Sequence, residues 1–80
     1  MPEHFYIVIE IQIAADGTKG LLNNFYMEDS QQTNSAKNRA YSKYFTVCAA
    51  AAISAIPYHA AMMIRSDGAI IEENVWDRRE

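Results

Sequence analysis

Phe5-Tyr6-Ile7-Val8-Ile9-Glu10-Ile11-Gln12-Ile13-Ala14 decides the fold of this chain. Successive side chains of a strand point to opposite faces. Phe5, Ile7, Ile9, Ile11 and Ile13 therefore share one face, and Tyr6, Val8, Glu10 and Gln12 share the other. One face is wholly apolar and the second half apolar, the pattern of a central strand rather than an edge. Asp16-Gly17 and Gly20 then supply a turn, since glycine accepts the positive φ that turns demand. Leu21 to Met27 reads as the returning hairpin strand, with Leu21, Asn23, Phe25 and Met27 on one face and Leu22, Asn24 and Tyr26 on the other.

Glu28 to Ser35 is polar and rich in residues that cap a helix. Thr33 or Asn34 is the expected N-cap, and Glu28 and Asp29 are acids suited to the positive end of the helix dipole. The helix is expected to run to about Ala55, because Pro57 stops it and disfavours helical backbone at Ile56. At helical spacing Ala40, Tyr41, Tyr44, Phe45, Val47, Cys48, Ala51, Ala52 and Ala55 form an apolar arc. Ala49, Ala50 and Ile53 lie where charge is expected, which marks that stripe as a candidate contact surface.

Tyr58 to Arg65 and Ile70 to Trp76 form a second hairpin, with Asp67-Gly68 expected as a two-residue loop. One face holds Tyr58, Ala60, Met62, Ile64, Ile71, Glu73 and Val75. The other holds His59, Ala61, Met63, Arg65, Ile70, Glu72, Asn74 and Trp76. The first set is the more apolar and is expected under the helix.

The fold class is therefore α+β: a single domain, residues 1–80, of order ββαββ, with an antiparallel four-stranded sheet and one long helix packed on one face. A single helix leaves one sheet face uncovered. That face is expected to show Tyr6, Val8, Met63, Ile70 and Trp76 to water, and an apolar patch of this kind marks an interface.

Eighty residues bury a small core and need further support. One cysteine, Cys48, excludes an intrachain disulfide, and His4 and His59 stand too far apart for zinc spacing. By elimination, a homo-oligomer is expected. Net charge is −3 and the pI near 5.2, which argues against general binding to nucleic acid or anionic membranes. Met1-Pro2-Glu3-His4 has no signal-peptide pattern, and the apolar run Val47 to Ile56 falls far short of the roughly 20 residues of a membrane span.

No catalytic motif is present. Cys48 sits on the core arc, the glycines belong to turns, and Glu72-Glu73 point to opposite sheet faces. No enzyme activity, metal or cofactor is expected. His59, Arg65, Trp76 and Tyr6 are the candidate ligand-binding residues, on one shared face. Ile53, Ala49, Ala50, Met63 and Trp76 are the candidate interface residues. Arg65 and Glu72 are also placed to pair diagonally across strands.

Ser42-Lys43-Tyr44-Phe45, Ala49-Ala50-Ala51-Ala52-Ile53-Ser54, Ile56-Pro57-Tyr58-His59 and Asp67-Gly68, with the opening Ile9-Glu10-Ile11-Gln12, carry a resemblance. In these stretches the chain resembles short uncharacterised proteins encoded by phages and prophages of Gram-positive bacteria. The polar segment Ser30 to Asn34 is longer than in that group. The resemblance implies a bacterial host cytoplasm during infection. No established activity comes with the resemblance. In that setting small oligomeric phage proteins often block a host factor or sequester a nucleotide signal. The expected function is therefore oligomeric binding of a nucleotide-derived immune signal, the alternative being a protein-binding or virion-associated module acting on a host or phage protein.

Overall fold

The computed structural model describes residues 4–79. Strand β1 (Tyr6–Ile13) and strand β2 (Lys19–Tyr26) form the first hairpin, helix α1 (Ala36–Ala52) follows, and strands β3 (Tyr58–Arg65) and β4 (Ile70–Asp77) form the second. The strands make one antiparallel sheet in the order β2-β1-β3-β4. The α+β fold read from the sequence is thus the one observed, and the order between the two hairpins is now fixed. β1 and β3 are apolar on most positions and take the centre. β2, with Gly20, Asn23 and Asn24, and β4, with Glu72, Glu73 and Asn74, take the edges, where polar residues discourage further pairing.

Both hairpin turns have one construction. Gly17 N–H donates to Ala14 carbonyl at 2.9 Å and Gly68 N–H to Arg65 carbonyl at 2.8 Å. Both glycines have positive φ, 88° and 92°. Asp16 and Asp67 each accept the backbone N–H two residues on, from Thr18 and Ala69. These are three-residue loops closed by a left-handed glycine, so the two-residue loop expected at Asp67-Gly68 is corrected. The extra residue appears as a register shift in β4: Met63 pairs with Glu72 and Ile64 with Ile70, leaving Ile71 unpaired as a bulge.

Helix α1 begins one or two residues later than expected. Ser35, not Thr33 or Asn34, is the N-cap, its hydroxyl accepting from Asn38 N–H at 3.1 Å. Glu28 reaches back to accept from Ala36 N–H at 2.6 Å, the helix-start role expected of an acid there. The helix stops at Ala52, short of Ala55, with Ile53 as C-cap. Arg78 closes this end: its guanidinium donates to the carbonyls of Ala51 at 2.8 Å and Ile56 at 3.2 Å.

A helix of 17 residues is about 25 Å long and ~10 Å wide. The sheet is about 19 Å across at ~4.8 Å per strand. The helix cannot cover the whole sheet width, and it packs mainly on the two central strands and less on the edges. Its buried stripe is Ala36, Ala40, Tyr44, Val47 and Ala51. Phe45, expected in the core, is 59% exposed and rests on Tyr41, ring centroids 5.8 Å apart.

The helix covers the opposite sheet face from the one expected. Val8, Ala61 and Met63 are fully buried with Ala40, Tyr44 and Val47. Tyr6, Tyr26, Cys48, Ile71 and Trp76 pack around them. The expectation that Tyr6, Val8, Met63 and Trp76 face water is corrected, while Ile70 is exposed as expected, at 55%. The physical reason is that apolarity says a face is covered, not by what. The three alanines of the helix stripe let it sit close over Ala61, and the isoleucine face of β1 points the other way.

Candidate functional site

Two places in this fold hold features that the core does not need. The first is a buried polar cluster on the helix side. Across the sheet Gln12 pairs with His59 and His59 with Trp76. Glu10, one step along the same face of β1, reaches His59 diagonally: Glu10 Oε2 lies 2.5 Å from Nε2. Gln12 Nε2 donates to the same Glu10 oxygen at 3.0 Å. Trp76 stands edge-on to the imidazole, ring centroids 6.4 Å apart. The carboxylate thus engages Nε2. The other ring nitrogen, Nδ1, is buried without a hydrogen-bond partner.

His59 is thus 2% exposed, not the accessible strand-end residue expected of a ligand contact. Glu10 was missed as its partner. Its signal is a lone acid between Val8 and Gln12 on a strand with no other charge. Tyr6 and Trp76 are half-buried beneath the helix. Arg65 is engaged elsewhere: both arms of its guanidinium hold Asp67, at 2.7 and 3.0 Å, rather than Glu72. That pairing, with the Ala69 N–H, holds the Asp67 carboxyl down at about 2. The four expected ligand residues therefore do not converge on an open surface. Of the expected interface residues, Met63 is fully buried, while Ala49, Ala50 and Ile53 are exposed on the outer helix face, Ile53 to 89%.

The second place is the uncovered sheet face. Its rows follow from the strand pairing. Read from β2 to β4, they are Lys19, Ile13, Tyr58, Asp77; then Leu21, Ile11, Ala60, Val75; then Asn23, Ile9, Met62, Glu73; and then Phe25, Ile7, Ile64, Ile70. Leu21, Phe25, Ile70 and Val75 are each more than half exposed. Twelve of these sixteen positions are apolar, so the open face is an extended apolar surface in its own right. Within the strands the charges of this face stand at the edges, Lys19 on one and Glu73 and Asp77 on the other, while the Arg79 guanidinium lies over Tyr58 of central strand β3. Asp77 is held by Arg79, which also stacks 4.5 Å over Tyr58, and this pairing keeps the Asp77 carboxyl near 2.

Among the described residues no group of three His, Cys, Asp or Glu side chains is placed to hold a metal ion, and no helix is long and apolar enough to cross a membrane. No family profile, curated protein or solved structure matches this chain.

Proposed function

We propose that this chain is a non-enzymatic, phage-type binding protein that works by protein–protein contact, with the open sheet face as its contact surface. One observation carries the reading: among the described residues, a four-stranded sheet face that is apolar at twelve of its sixteen strand positions lies uncovered on a small domain. Apolar patches of this size on soluble proteins belong to interaction sites. The resemblance to phage and prophage proteins supplies the setting, a bacterial cytoplasm during infection, and the partner is then a second copy, a host protein or another phage protein.

Capture of a nucleotide-derived immune signal is the second reading. It rests on the unpartnered Nδ1 of His59 beside the half-buried Trp76, and because His59 is 2% exposed it requires the helix–sheet layer to open before a ligand can reach that nitrogen.

The test is a photo-crosslinking amino acid placed at Leu21 on the open face or at Ile53 on the outer helix face, in bacteria carrying the phage infection. Adducts to protein from the Leu21 position and not from Ile53 are expected. Adducts from Ile53 alone, or from neither, overturn the reading.

A further inference from the structure

We infer that the open sheet face is closed by a second copy of the same chain, in a two-fold dimer whose axis runs parallel to the strands. This rests on the reading of that face as the contact surface, and it names the partner.

The match is contained in the register. A two-fold axis midway between two facing sheets and parallel to their strands keeps each row at its height and reverses the strand order. β2 of one copy then lies over β4 of the other, and β1 over β3. Along the edges Lys19 meets Asp77, Leu21 meets Val75 and Asn23 meets Glu73. Lys19 faces an Asp77 that Arg79 already holds, the Asn23 amide faces the Glu73 carboxylate, and the apolar residues between them face each other. Through the centre, the isoleucines of β1 lie on the apolar residues of β3.

The other in-plane axis, across the strands, sets each strand over itself and reverses the rows. Glu73 then lies on Val75 and Asn23 on Leu21, which buries polar groups against apolar ones. Twisted sheets stack about 30° from aligned. At the edge strands this displaces partners by about 5 Å, within reach of the long Lys19 and Glu73 side chains.

The area is sufficient. Four strands of 8 residues span about 19 by 26 Å. Two faces therefore bury roughly 1,000 Å² before side-chain relief is counted, the size at which specific interfaces begin. Two sheets at ~10 Å with alternating inward side chains make a sandwich core, which supplies the support that a domain of this size needs from outside itself.

The experiment uses the full chain. Light scattering during gel filtration at micromolar concentration should give twice the chain mass, and Ile9→Glu should halve it while circular dichroism stays folded. Where Ile9→Glu fails to fold, the edge variant Leu21→Asp serves the same end. A Cys48→Ala chain carrying Leu21→Cys and Val75→Cys then tests the axis. Within one copy these positions are three strands apart, about 14 Å, too far for a disulfide. Across the dimer the facing positions lie about 10 Å apart, also beyond a direct disulfide, so a short thiol crosslinker of ~5 Å, which reaches Cα atoms about 10 Å apart and not ~14 Å, should link copies in pairs. Linking through Leu21→Cys with Asn23→Cys instead overturns the axis. A monomer mass for the unsubstituted chain overturns the dimer, and the cellular crosslink from Leu21 then reports separately whether the face meets a foreign protein.

Discussion

His59 Nε2 sits 2.5 Å from Glu10 Oε2 across 49 residues of chain, and the contact runs diagonally, since His59 pairs in register with Gln12 and Glu10 with Ala61. It joins the two hairpins by a side-chain bond inside the helix–sheet layer. Removing one member of a buried pair leaves the other without compensation, which costs about 3–5 kcal/mol. Glu10→Ala is therefore expected to destabilise the fold by about 3 kcal/mol in urea titration. Glu10→Leu with His59→Phe should recover most of that loss, because an apolar pair of similar volume needs no partner. An unchanged urea midpoint for Glu10→Ala would show the pair to be structurally idle.

Tyr44 is expected to contribute to the alkaline limit of the fold, beside Tyr26, whose hydroxyl is also pushed up by burial. Burial, then the hydrogen bond with Cys48 and the nearby Glu72 and Glu73, raise the Tyr44 hydroxyl above the ordinary tyrosine value. A folded-state value above the unfolded one means that the neutral form is favoured by folding. Stability is therefore full below pH 10 and falls as pH climbs above it. Tyr44→Phe should flatten this loss, leaving other tyrosines to titrate. Equal alkaline melting of the two proteins would remove Tyr44 from the account.

The three glycines separate cleanly. Gly17 and Gly68 hold φ of +88° and +92°, where a Cβ is strained even though nothing stands within 4 Å. Alanine at either is expected to cost about 1–2 kcal/mol. Gly20 has no such φ and equal space, so Gly20→Ala should be neutral or stabilise β2 by about 0.5–1 kcal/mol. Thermal melts of the three variants check the order.

Arg78 holds the end of the helix to the loop before β3 through the Ala51 and Ile56 carbonyls. Its truncation to alanine should cost about 1 kcal/mol and speed amide exchange in the last helical turn and the segment after it. A uniform change along the helix would argue against a local clamp.

The elements were legible because period-two alternation in Phe5–Ala14 and helical spacing from Ala40 to Ala51 are direct images of backbone geometry. The helix side of the sheet was not. β1 is apolar on both faces, and composition alone assigns the more apolar set of the second hairpin to the chain's own helix. That assignment puts Val8, Met63 and Trp76 outside and Met62 and Ile64 inside, the reverse of what the fold does. Glu10 and His59 stayed hidden for a related reason: their contact depends on β1 pairing with β3, and nothing in either hairpin alone states that register. The loop lengths failed at Gly68, where Asp-Gly fits both a two-residue turn and the longer one adopted.

The strand order β2-β1-β3-β4 also sets a schedule for biosynthesis. Ile13 finds its β3 neighbour, Tyr58, only after about 45 further residues have been made. At ~5–20 residues per second that interval is roughly two to nine seconds. During it the first hairpin stands alone on the ribosome with one edge of β1 unpaired and both faces bare. Each hairpin is local and fast, so their docking is the slow, long-range step of folding. The nascent chain is most exposed to chaperones and to its own neighbours on a polysome at that stage, before the helix or any second subunit can shield the isoleucines.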